Sequence, residues 1–137
     1  MNILIDTSVW SLVFRRKNHE PHYAQIVSHL ILEGRAKIMG PIRQELLSGV
    51  EDRKQFVLLK QKLQAFSDIP LSRVHYETAA ELYNQCRKKG VQGSHIDFLI
   101  CAVAKIEELL IFTTDQDFVH YSNIVGLKLY QSPKLSH

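Results

Sequence analysis

Four carboxylates carry the chemistry open to this chain: Asp6, Glu45, Asp97 and Asp115. Three of them stand in or against apolar sequence. Asp6 follows Ile3-Leu4-Ile5, Asp97 interrupts the run from Ile96 to Ala104, and Asp115 closes the run from Leu109 to Phe112 through Thr113-Thr114. A buried carboxylate is costly unless a positive partner meets it. Asp6 and Asp97 have no cationic residue at helical spacing, so the simplest partner is a divalent cation. Taken singly, each acid has an ordinary explanation: an Asp at a strand end caps a helix or a turn. Ser94, three residues before Asp97, also outlines a capping box. Four such acids in one chain call for a common cause.

The elements that must position them alternate along the sequence. Asn2 to Ile5 reads as a short buried strand and Thr7 to Phe14 as a helix. Pro21 opens a second helix that Gly34 ends, with Ile26, Val27, Leu30 and Ile31 on its apolar side. Lys37 to Met39 is a strand, and a helix from Pro41 to Gly49 carries Glu45 beside its apolar face. Phe56 to Phe66 and Thr78 to Lys89 are further amphipathic helices, separated by a turn at Pro70. Ile96 to Ile106 is apolar nearly all round, as a central helix is. Leu109 to Thr113 reads as a strand, Asp117 to Tyr121 as a helical turn, and Leu127 to Tyr130 as a last strand. Strands separated by helices predict one α/β domain with a mainly parallel central sheet flanked by helices, and its site at the carboxyl ends of the strands. Asp6 and Asp115 occupy two such ends, and Asp97 opens the central helix.

Composition narrows the function classes. With 137 residues, 45% apolar and 23% charged, the chain has the make-up of a globular domain that can bury a core. No stretch approaches a bilayer span. The first strand starts too near Met1 for a signal sequence, so a cytoplasmic location is expected. Cys86 and Cys101 form no metal or disulfide pattern and are expected to pack. Trp10 and Phe14 lie four apart, which suggests core or subunit interface before base stacking. The net charge of +3 is mild. If the acids cluster, the remaining surface is more basic than that total, through Arg15-Arg16-Lys17, Arg53-Lys54 with Lys60 and Lys62, and Arg87-Lys88-Lys89. Such a surface suits a polyanion, and equally suits solvated helix faces and C-termini.

Ile5-Asp6-Thr7-Ser8-Val9-Trp10 resembles the opening of PIN-domain ribonucleases. Ser94 to Ala102 (SHIDFLICA) resembles their third acidic block, Phe112 to Phe118 (FTTDQDF) their fourth, and Glu45 matches the second acid. The resemblance runs from Asn2 to about Tyr130. It implies a PIN domain over residues 1–130 with a polar tail at 131–137. The small size is similar to VapC-like toxins of toxin-antitoxin pairs.

That resemblance implies a metal-dependent endoribonuclease in which Asp6, Glu45, Asp97 and Asp115 are catalytic. Asp6, Asp97 and Asp115 are the expected metal ligands, and Glu45 is expected to position a water or a second ion. Asp117 is open: an additional ligand, or an acid that stabilises the first turn of its helix. Thr7, Ser8 and Thr114 either orient the carboxylates from behind or serve as caps and turn residues. Carboxylates without a Cys or His cluster suit Mg²⁺ or Mn²⁺ and not zinc. The expected partners are an RNA substrate, a small antitoxin and a second copy of the chain, with no membrane.

Other classes fit less well. A haloacid-dehalogenase phosphatase needs an acid two residues after its nucleophile, where this chain has Ser8. A receiver domain needs a late strand ending in Lys. The competing reading is a PIN-like module that binds RNA or an antitoxin without cleaving, which has no physical need for four crowded acids. Which RNA is cut has no linear signature.

Overall fold

Ile3–Ile5 forms the central strand β1, and all three residues are fully buried. A continuous apolar run is what a parallel strand covered on both faces requires. The computed structural model describes residues 1–14 and 21–132. The basic triplet Arg15-Arg16-Lys17 and residues 133–137 of the tail therefore lie outside the described residues. Strand β1 pairs in parallel with Ala36–Lys37 (β2) and with Leu110–Phe112 (β3), giving the order β2-β1-β3. The register sets Ile3 beside Ala36 and Leu110, and Ile5 beside Phe112. Because the strands are parallel, β1 and β3 deliver their C-terminal residues to one edge.

Seven helices surround the sheet among the described residues: Thr7–Phe14 (α1), Pro21–Leu32 (α2), Gly40–Ser48 (α3), Arg53–Leu63 (α4), Arg73–Lys88 (α5), His95–Ile106 (α6) and Asp117–Val125 (α7). This is the α/β architecture, with a parallel sheet flanked by helices, that the sequence pattern predicts. Helix α6 is the core helix, with every residue from Phe98 to Ala104 buried. Trp10 is fully buried, stacks on Phe14 at 5.5 Å between centroids, and meets Phe66 edge-on at 5.2 Å. Cys86 and Cys101 are buried free thiols. No helix among the described residues is long and apolar enough to cross a membrane.

Three elements depart from the sequence reading. Helix α5 starts at Arg73, ahead of Thr78. Its entry is fixed by His75, whose Nδ1 accepts the Ser72 backbone N–H at 3.0 Å. A His three residues into a helix takes the part that Glu or Gln plays in a capping box, so the usual sequence signal is missing. Helix α7 continues to Val125, where Gly126 at φ 72° ends it in the left-handed conformation that glycine adopts without strain. The expected last strand at Leu127 to Tyr130 does not form. It contributes one bridge between Leu129 and Ile111, held by Ile111 N–H to Lys128 O at 2.9 Å and Tyr130 N–H to Ile111 O at 2.8 Å. Alternating Leu127 and Leu129 report a half-buried extended segment, which does not require more than one rung of pairing.

Candidate active site

Strand β1 ends at Ile5, so Asp6 is the first residue beyond the sheet edge, and it remains almost fully buried at 7% exposure. Its backbone carbonyl accepts from Val9 N–H at 3.1 Å and Trp10 N–H at 3.2 Å, opening α1. Its side chain is gripped at one oxygen only. Ser8 Oγ and Thr113 Oγ1 both donate to Asp6 Oδ2 at 2.8 Å. Among the described residues no donor reaches Oδ1.

Thr113 carries the connection to the neighbouring strand. It follows β3, and its Oγ1 also accepts the Asp115 backbone N–H at 3.0 Å. One hydroxyl thus fixes Asp6 against the loop that carries Asp115. Ser8 Oγ adds a second tie by accepting the Thr114 backbone N–H at 3.1 Å. Asp115 Oδ1 in turn accepts the Asp117 N–H at 2.9 Å at the start of α7.

Asp97 comes from the opposite side, in the first turn of α6, where its N–H donates to Ser94 Oγ at 3.0 Å. Its Oδ2 accepts from Tyr121 Oη at 2.7 Å. Tyr121 is fully buried on α7 between Phe98 and Phe118, with ring centroids at 4.7 Å and 5.2 Å. Gly93 makes room for it. A Cβ at that position would stand 2.7 Å from Tyr121 Cζ and 2.9 Å from Phe98 Cε2, closer than carbon atoms approach.

These anchors bring Asp97, Asp115 and Asp117 together, one oxygen from each lying within 4.8 Å of the others. Asp97 feels both Asp115 and Asp6. Burial pushes its carboxyl above the usual aspartate range, and the charges of Asp115 and Asp6 push it further, against the opposing hydrogen bonds from Tyr121 and Ser94. The Tyr121 hydroxyl is likewise pushed up by burial and by the Asp97 carboxylate, so it stays protonated and keeps donating. The positive ends of α1, α6 and α7 converge here, and each partly offsets the carboxylate repulsion. Glu45 stands apart from the three-acid group. It is exposed on α3, and its Oε1 accepts from Thr7 Oγ1 at 3.0 Å, next to Asp6.

All-oxygen donors crowded at this spacing fit a hard divalent cation. They do not fit zinc, since no Cys or His joins the group among the described residues. The residues brought together include Asp117, which sequence spacing alone leaves ambiguous. Two others were not singled out by the sequence. Thr113 holds Asp6, whereas Thr114 offers only its backbone N–H. Tyr121 reads as an ordinary apolar-face aromatic, and nothing in the linear sequence aims its hydroxyl at Asp97.

Comparison with curated protein sequences gave no match. Solved structures are similar over nearly the whole chain. FitAcB from Neisseria gonorrhoeae has a TM-score of 0.77 at 21% identity, covering 94% of this chain and 96% of that one. VapBC2 from Rickettsia felis, bound to a DNA fragment from its promoter, has a TM-score of 0.73 at 19% identity, covering 95% and 98%. A toxin-antitoxin complex from Klebsiella pneumoniae has a TM-score of 0.65 at 21% identity, covering 85% and 90%. At these identities the likeness carries the fold. The family model of the PIN domain matches residues 3–124, so the chain belongs to the PIN domain family.

Proposed function

We propose that this protein is an endoribonuclease dependent on Mg²⁺ or Mn²⁺, and the toxin of a toxin-antitoxin pair. The observation that carries the reading is the group of carboxylates at the sheet edge, three with oxygens within 4.8 Å and a fourth, Asp6, tied to them through Thr113. A divalent ion held there would supply a water of lowered pKa and charge stabilisation at the leaving oxygen of a phosphodiester.

The side chains divide that work. Asp6, Asp97 and Asp115 would hold the ion directly, and Asp117 would complete the group from the first turn of α7. Thr113 and Ser8 keep Asp6 in one rotamer, and Tyr121 does the same for Asp97, so the carboxylates need not reorganise when the ion binds. Glu45, exposed on α3 and hydrogen-bonded to Thr7, orients the attacking water or holds a second ion. The likeness to chains of FitAcB, VapBC2 and a toxin-antitoxin complex favours a small antitoxin as partner. An open groove of about 570 Å³ between α1 and α4, whose lining mixes Phe14, Leu58 and Leu59 with Glu51, Gln55 and Lys62, offers an amphipathic segment a place to dock. We assign the protein to the cytoplasm and to a homodimer on the same reading.

The test is cleavage of a mixed, structured RNA pool by the purified chain with Mg²⁺ or Mn²⁺, with chelator, and by folded Asp97→Asn. Cutting that needs metal and is lost in the variant supports the reading. Absence of cutting by wild type, with metal binding confirmed, moves the protein to the class of non-cleaving modules that bind RNA or an antitoxin. A monomer mass in gel filtration at micromolar concentration counts against the dimer.

A further inference from the structure

His95 and Asp97 share the first turn of α6, yet only Asp97 belongs to the acid group. His95 is exposed, and Tyr83 of α5 covers one of its ring faces, with centroids 5.2 Å apart and planes 21° from parallel. Tyr83 is held in turn by Phe98, edge-on at 5.5 Å, and by the Arg87 guanidinium, 5.6 Å from its ring centroid. The stack therefore rests on a fully buried side chain and cannot slide freely. Beside it lies an open groove of about 420 Å³, lined by Tyr76, Tyr83, Asn84, His95 and Ile96 among others. Tyr76 is 54% exposed.

We infer that the Tyr83–His95 stack is a platform for a base of single-stranded RNA, one that sets a nucleotide next to the acid group. The inference rests on the nuclease reading for its substrate class. Three features of the surface favour this occupant. The stack offers a flat, amphipathic π-surface, on which any base can lie without sequence readout. Arg87 and Lys88 close α5 and Lys89 follows as its C-cap, where the three can take phosphates. Asp97 follows His95 by two residues in the same first turn of α6, so the acid group, where the scissile phosphate needs a cation, is a sequence neighbour of the stack. Cationic groups outside and acids within are the charge pattern that a polyanion with one metal-bound phosphate requires.

The probe is a fluorescein-labelled oligouridylate, with an abasic ribose-phosphate strand of equal length and charge and an oligothymidylate as comparisons, all bound in Ca²⁺ to slow cutting. Loss of one stacked base predicts a roughly tenfold weaker oligouridylate affinity for His95→Ala, with His95→Phe near wild type. The abasic strand should bind weakly to both, with no difference between wild type and His95→Ala. Equal loss for base-bearing and abasic strands, unchanged affinity in His95→Ala, or no binding of oligouridylate by wild type overturns the platform. So does a drop from dimer to monomer in His95→Ala with per-chain affinity retained, which would make the face a subunit contact. Tighter binding of oligothymidylate than of oligouridylate overturns the assignment to RNA. The nuclease reading fails separately, through absent metal-dependent cutting by a wild type that still binds oligouridylate through His95.

Discussion

Removing one negative charge from the acid group should stabilise the protein when no metal is present. Asp97 is the residue to change, because its carboxyl is pushed above the usual range by burial and then by Asp115 and Asp6. Two unit charges with oxygens up to 4.8 Å apart repel by about 0.9 kcal/mol in bulk water and by about 3.5 kcal/mol at an effective dielectric constant of about 20. Asp97 is half-buried, so the relief falls between these limits. Asn keeps a carbonyl that can accept from Tyr121 Oη, and the packing volume hardly changes. Metal-free Asp97→Asn should therefore be more stable than wild type by roughly 1–2 kcal/mol, a rise in Tm of about 3–6 °C for a domain of this size. The sign with pH follows from the raised folded-state pKa. Protonation of Asp97 favours the folded state, so its unfavourable charge is absent at low pH and appears as pH rises through that pKa. The advantage of Asp97→Asn should accordingly shrink toward zero below about pH 4, near the ordinary aspartate value. Adding Mg²⁺ or Mn²⁺ should reverse the order at neutral pH. Wild type should gain about 2.7 kcal/mol at a metal concentration about 100 times Kd, while the variant gains little. Differential scanning fluorimetry across pH, with and without metal, reads all of this. A metal-free variant less stable than wild type, or a wild-type Tm unmoved by millimolar metal, refutes the crowded-carboxylate reasoning.

Tyr121→Phe removes the hydroxyl that donates to Asp97 Oδ2, and isothermal titration should show metal affinity lower by about tenfold with the fold retained. Thr113→Val leaves Asp6 Oδ2 with Ser8 alone and the Asp115 N–H without its acceptor; chemical denaturation should show a loss of about 1–3 kcal/mol. Gly93→Ala drives a methyl into Tyr121 and Phe98, and should cost about 1–3 kcal/mol by overpacking while also weakening metal binding, since Tyr121 must move. Glu45→Gln keeps an acceptor for Thr7 and should melt within about 0.5 kcal/mol of wild type, as exposed substitutions do, while the cleavage rate falls.

The framework of this site was legible in sequence wherever a local pattern carries it. The apolar run Ile3-Leu4-Ile5 ending in Asp6 predicts a buried parallel strand with an acid at its edge, and the apolar sequence around Asp97 predicts a core helix that begins with a carboxylate. The long-range part was not legible. Which of Thr113 and Thr114 turns toward Asp6 depends on where β3 ends, and strand ends shift by a residue without any change in the pattern. Tyr121 ends the helical turn that the sequence predicts, yet what its hydroxyl meets depends on how α7 packs against Phe98 and Gly93, which no local pattern reports. Asp6, expected as a ligand, and Glu45, expected to position a water or a second ion, both lie outside the three-acid group; Asp6 is tied to the Asp115 loop through Thr113, and Glu45, exposed on α3, is hydrogen-bonded to Thr7. The start of α5 escaped because His75 does the capping, a role for which the usual signal is Glu or Gln.

The most direct test of the proposed chemistry is RNA cleavage in water enriched in heavy oxygen, with Mn²⁺ and an equimolar comparison of wild type and Asp97→Asn, followed by mass analysis of the product ends. Attack by a metal-activated water predicts one heavy oxygen in the product phosphate with wild type and no product with the variant. A cyclic phosphate end without label, or labelled product formed equally by Asp97→Asn, would contradict a metal-dependent hydrolysis centred on these carboxylates.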